Sequence, residues 1–196
     1  MKVSLRRPGL LALGFTLIFF MPASAEQMPL GAEAQIPLLL KVLTYDRNFE
    51  QKAGAELALG IVHDPSDRDS AKATEEVGST LYKFAGKTVK KLPLKYYTIE
   101  FTGAADLERF VKEKHISVLY LAPGSVKALG AVLKVSQELK LTTLTGVPDY
   151  VRRGVAVGIG VEQDKPQILI NLGAARAEGS DFDASLLRIA VVVGQK

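Results

Sequence analysis

The sequence predicts an α/β fold: a single-domain three-layer sandwich with a mostly parallel sheet of about five or six strands and helices on both faces. Three observations carry this reading. Strand-length apolar runs alternate with helix-length amphipathic segments along most of the chain. The run Ile116 to Ala122 is apolar without alternation, as a central strand covered on both faces requires. Of the 196 residues, 47% are hydrophobic, which is enough for one core without covalent staples.

The amino terminus has a different purpose. Lys2, Arg6 and Arg7 precede the apolar run Leu10 to Phe20, and Ala23-Ser24-Ala25 forms a small-x-small site after Pro22. Residues 1–25 are therefore expected to be a signal peptide cleaved after Ala25, leaving residues 26–196 as one periplasmic domain. The apolar run is about half the length of a membrane span, and no later stretch is apolar enough to span, so no membrane insertion is expected after cleavage.

Beyond a polar lead, Ile36, Leu39, Leu40, Leu43 and Tyr45 recur at mostly helical spacing and predict a first helix over Ala34 to Phe49. Glu56 to His63 reads as a strand. Asp64-Pro65-Ser66-Asp67 is a turn whose acids can cap a helix running to Phe84. Leu92 to Phe101 alternates as a second strand, Thr102-Gly103 opens a helix over Ala104 to Lys114, and Ile116 to Ala122 follows as the third strand. Pro123-Gly124-Ser125 leads into a helix ending at Leu139. Leu141 to Thr145 is a fourth strand, closed by Gly146-Val147-Pro148-Asp149. Val155 to Val161 and Gln167 to Leu172 pair as a hairpin around Gln163-Asp164-Lys165-Pro166.

The last segment changes conformation repeatedly. Asn171 ends a strand, and the small residues Gly173, Ala174, Ala175 and Ala177 let a short helix lie close to the sheet. Gly179 supplies the positive φ that ends that helix, and Ser180 to Asp183 lead into a second helix with Leu186, Leu187, Ile189 and Ala190. An Asn-ended strand, an Ala-Arg-x-x-Gly turn and a Leu-Leu-x-x-Ala segment, in this order, resemble the C-terminal signature of the YfiR-like family of bacterial periplasmic regulatory proteins. The order of elements from Ile36-Pro37-Leu38-Leu39-Leu40-Lys41 through Val118-Leu119-Tyr120-Leu121 and Val147 to Gly154 is similar to that family as well.

The resemblance implies a non-enzymatic, protein-binding role. The partner it implies is the periplasmic sensor domain of a membrane-bound signalling receptor, typically a diguanylate cyclase and equally a histidine kinase, whose output is repressed. A homodimer would match a two-fold receptor of cyclic di-GMP signalling. Some family members carry redox-linked cysteines. This chain has no cysteine, so a thiol switch, disulfides and thiol catalysis are all excluded. The alternative reading is a periplasmic solute-binding protein made of one lobe.

Charge and motif patterns exclude other classes. Removing residues 1–25 takes three of the 25 Lys and Arg residues and none of the 21 acids, so 22 bases face 21 acids and the net charge falls to +1. Nucleic-acid binding needs a concentrated basic face, and the short Lys87/Lys90/Lys91/Lys95 cluster reads as a solvated strand edge. Gly86-Lys87-Thr88 has Leu81 where a phosphate-binding loop needs glycine, and Gly158-Ile159-Gly160 has no helix after it, so no nucleotide cofactor is expected. His63 and His115 fall at opposite edges of a parallel sheet and cannot easily share a metal. Ser125 is not on a nucleophile elbow.

Geometry leaves two candidate sites. In an open parallel sheet the loops at the carboxyl ends of the strands gather on one edge, which makes His63, Asp64, Gly124, Ser125 and Asp149 a candidate cleft. The segment Tyr150, Val151, Arg152 and Arg153, with the first helix, is the candidate partner-binding surface, because aromatic residues and arginines anchor interfaces more often than their neighbours do.

Overall fold

The computed structural model describes residues 27–194, so the signal peptide and its cleavage after Ala25 lie outside the described residues. The strands are β1 (Leu57–His63), β2 (Thr88–Val89), β3 (Leu92–Glu100), β4 (Val118–Leu121), β5 (Thr142–Thr145), β6 (Val157–Glu162), β7 (Lys165–Asn171) and β8 (Val191–Val193). They form one sheet in the order β2-β3-β1-β4-β5-β6-β7-β8. The stretch from β3 through β6 is parallel, β6 and β7 are an antiparallel hairpin, and β8 lies parallel to β7.

Helices cover both faces, and the side-chain alternation of β1 shows how. Leu57, Leu59 and Ile61 point into one core with Ile36, Leu39 and Leu43 of α1 (Ala32–Leu43) and Val77 and Leu81 of α3 (Arg68–Tyr82). Ala58 and Val62 point into the other, with Leu107 and Val111 of α4 (Ala104–Glu113) and Val132 and Val135 of α5 (Leu129–Leu139). Burial on both faces is why Val118 to Leu121 can be apolar throughout. The three-layer α/β fold is therefore present.

The sheet has eight strands rather than about five or six. All six expected strands form. The additional ones are short: β2 has two residues and β8 three, too few for a period-two pattern to register in sequence. The hairpin turn is tighter than expected, with only Gln163 and Asp164 between the paired residues Glu162 and Lys165. Pro166 therefore lies inside β7, in the part that β8 does not pair, where a missing N–H costs no hydrogen bond.

The first helix is shorter than Ala34 to Phe49. It stops at Leu43, and the chain resumes as α2 (Phe49–Ala53) after a turn. Asp46 breaks it: the Oδ1 atom accepts from Asn48 N at 2.9 Å and from Asp181 N at 2.9 Å, a turn geometry that competes with the helix. The second signature helix is also shorter. Only Ala184–Leu187 forms α8, and Ile189 is left 67% exposed.

Candidate functional site

Strand order locates the first candidate edge. From β1 the chain moves to β3 on one side and then to β4 on the other, so the loops after β1 and β4 diverge. That divergence is the topological switch point where open α/β sheets hold ligands. His63, Asp64, Gly124 and Ser125 meet there, and Asp149 lies beyond β5 on the same edge.

These loops are largely satisfied internally. Asp64 Oδ1 accepts from Ser66 N at 2.8 Å and Ser66 Oγ at 2.6 Å, and these bonds hold its carboxyl below the usual range. Asp67 caps α3 by accepting from Ser70 N at 2.8 Å. Gly124 has φ +78°, and a Cβ there would lie 2.7 Å from the Asp67 carboxyl carbon, so only glycine fits this turn. The Ser125 hydroxyl is buried and donates to the Val62 carbonyl at 3.4 Å, not to a general base. His63 is 7% exposed and its Nδ1 has no hydrogen-bond partner, which makes it the unsatisfied polar group of this edge.

Asp149 sits at the start of α6 (Pro148–Arg152), half-buried and 3.8 Å from Arg153. Tyr150 and Val151 were expected to help form a partner surface, but both are 0% exposed. Tyr150 packs with Val147 and Val155 in the core beside α4 and α5, because α6 is one short turn pressed onto β6. A Cβ on Gly158 would lie 2.4 Å from Val151 Cγ2, which explains the glycine inside β6 as close packing. Arg152 and Arg153 are exposed.

A second cluster was missed by sequence reasoning. Strand β5 is central yet carries Thr142, Thr143 and Thr145, all buried. Glu178, 0% exposed, accepts from Thr143 N at 2.8 Å, Thr143 Oγ1 at 2.7 Å and Ser136 Oγ at 3.0 Å. Lys52 donates to Thr142 Oγ1 at 2.6 Å and Ser180 Oγ at 2.8 Å, and it lies 3.8 Å from the buried Asp46. Burial pushes the Glu178 carboxyl up to about 7 and pushes the Lys52 ammonium down. The signal was present in the sequence as a glutamate within a run of small residues and as threonines in a strand that should be apolar.

This cluster assigns the signature residues their work. Asn171 caps α7 (Leu172–Ala177) by accepting from Ala174 N at 3.0 Å, and its Nδ2 donates to the Val151 carbonyl at 3.0 Å. Gly179 has φ +77°, as its place after α7 requires. Asn48 donates to the Gly179 carbonyl at 2.9 Å, and Arg47 pairs with Asp181 at 3.3 Å and Asp183 at 3.1 Å. Asn171→Ala removes a cap and one of two donors to the buried Val151 carbonyl, which keeps the Gly154 N–H. It is expected to cost about 2 kcal/mol, measured by urea unfolding.

Other chemistry finds little support. Lys95 pairs with Glu56 at 2.7 Å and Lys90 donates to the Asp46 carbonyl at 2.8 Å, so the lysine cluster is dispersed rather than a continuous basic stripe. Among the described residues no group of three or more His, Cys, Asp or Glu side chains gathers as a metal site would, and no helix is long and apolar enough to cross a membrane.

The fold thus defines an open, mostly parallel α/β domain with a switch-point edge and a signature turn tied to the first helical segment. Its fold is similar to three solved structures. The ABC domain from Streptococcus pneumonia in complex with L-Trp has a TM-score of 0.58 at 14% identity, over 84% of this chain and 60% of that one. A conserved domain protein from Vibrio cholerae has a TM-score of 0.58 at 16% identity, over 83% and 60%. The ligand-free, open form of CD0873, a substrate binding protein with adhesive properties from Clostridium difficile, has a TM-score of 0.51 at 15% identity, over 76% and 58%. The chain spans less than two thirds of each. No curated protein matches the chain. Residues 34–191 match the model of the YfiR/HmsC-like family, and the chain belongs to that family.

Proposed function

We propose that this chain is a non-enzymatic periplasmic regulator that binds the periplasmic sensor domain of an inner-membrane signalling protein, a diguanylate cyclase or a histidine kinase, and represses it. Family membership across residues 34–191 carries the reading. The protein acts by occupancy. A regulator shifts a two-state receptor only as far as its preference for the quiet state, and a preference of about a hundredfold, roughly 2.7 kcal/mol, is sufficient for strong repression.

The docking surface in this reading is Arg152 and Arg153 with the exposed side of α1. The side chain of Gln35 on α1 lies against Gly146, just before α6, which brings the two elements to one edge. The double substitution Arg152→Glu, Arg153→Glu is expected to weaken capture of the receptor from membranes by at least about tenfold while the domain stays folded, because reversed charges oppose a complementary surface. Unchanged capture by the folded double variant would reject this surface.

The role itself is tested by deletion. Loss of the protein is expected to raise cyclic di-GMP and adhesion, or the output of a kinase encoded nearby. If none of these changes, the single-lobe solute-binding reading is preferred. That reading draws support from the solved structures of similar fold, one of them in complex with L-Trp and one a substrate binding protein.

A further inference from the structure

The edge opposite the switch point opens into a cleft of about 630 Å³ at the amino ends of β1, β4 and β5, a volume within the range of small-molecule sites. Its floor is apolar, with Val111, Ile116 and Leu141 all buried. Its rim carries Lys112, which pairs with Glu108 of α4, together with His115 and Lys140. The one acid among the lining residues, Glu56, is held by Lys95 at 2.7 Å.

Two rim residues occupy unusual backbone positions. His115 follows α4 with φ +50°, and Lys140 ends α5 with φ +59°. Glycine fills such left-handed positions with least strain. Cations are favoured at helix carboxyl ends whatever the cleft does, and Lys140 also donates to the Ala177 carbonyl at 2.9 Å. His115 is the residue that separates the explanations. Its side chain is exposed and makes no hydrogen bond or ion pair among the described residues, so its imidazole is free to face the cleft.

We propose that this cleft binds a small organic anion, with the apolar body on Val111, Ile116 and Leu141 and a carboxylate between Lys112, His115 and Lys140. The site is separate from the proposed receptor surface, so either assignment can fail without the other.

The test is an amide NMR titration of the exported protein with phenylbutyrate and octanoate, using phenylbutyramide as the uncharged control. Saturable shifts confined to residues 51–56, 111–116 and 139–141 are expected, with the amide about tenfold weaker than the acid, the contribution of one favourable charged contact. Lys112→Glu and His115→Gly are each expected to weaken binding of the acid about tenfold with the folded spectrum intact. Equal binding of acid and amide, saturable shifts centred elsewhere, no saturation by either acid, or undiminished binding in both variants would overturn the proposal.

Discussion

Replacing Glu178 by Ala is expected to lower the unfolding free energy near pH 6 by about 3 kcal/mol, read as a lower urea midpoint at unchanged slope. The carboxyl group sits in the protein interior and takes three hydrogen bonds from Thr143 and Ser136. Truncation leaves the Thr143 N–H without an acceptor in the middle of the sheet. Glu178→Gln separates charge from shape. Burial raises the folded-state pKa from 4.5 to about 7 against the opposing hydrogen bonds. A group raised in the folded state stabilises fully below its unfolded value, and the contribution disappears as pH rises through the folded value. For Glu178 it amounts to about 3 kcal/mol, complete below pH 4.5 and gone above about pH 7. Asp183, held down to about 2 chiefly by the Ser185 backbone, has the opposite sign: its contribution is complete above its unfolded value of 3.8 and is lost as pH falls through about 2. Between pH 5 and 8 the wild-type protein should lose stability while Glu178→Gln stays flat. Parallel profiles would show that Glu178 is not the group that titrates.

The second large effect is expected at Lys52. Lys52→Met leaves Asp46 buried without the cation 3.8 Å away, and it removes the donor to Thr142 and Ser180. Breaking one side of a buried pair costs about 3 to 5 kcal/mol, whereas removing both charges is often close to neutral. Adding Asp46→Asn should therefore recover most of the loss, since Asn retains the oxygen that accepts from Asn48 N and Asp181 N. Calorimetric or urea unfolding of the two single variants and the double variant measures the coupling. Strict additivity would mean that the two groups do not sense each other.

Sequence patterning was informative wherever burial follows period. Ile116 to Ala122 reported a strand covered on both faces, and Leu92 to Phe101 an alternating one. It was silent wherever a tertiary partner decides. The turn from Asp46 to Asn48 is local, but the second amide that completes it belongs to Asp181. Tyr150 looked like an anchor for a partner, yet a tyrosine and a valine in one helical turn serve equally well as plugs beneath β6, and only packing distinguishes these roles. The candidate cleft was half legible. The alternation of strands and helices placed His63, Asp64, Gly124 and Ser125 on one edge, but not the orphaned Nδ1 of His63. Glu178, Lys52 and Thr143 were not legible as a group, since they come from three distant segments.

The bridge between Asp46 and Phe182 joins the beginning of the domain to its end, and the Asp181 to Asp46 hydrogen bond spans 135 residues of chain. Contacts of that separation are slow to form, because the closure entropy of a long loop must be met before they add stability. A chain delivered amino terminus first cannot complete the turn at Asp46 until Asp181 and Phe182 arrive. Completion of folding is thereby coupled to arrival of residues 178–183, and a chain truncated before them lacks the closure that buries Lys52 and Asp46.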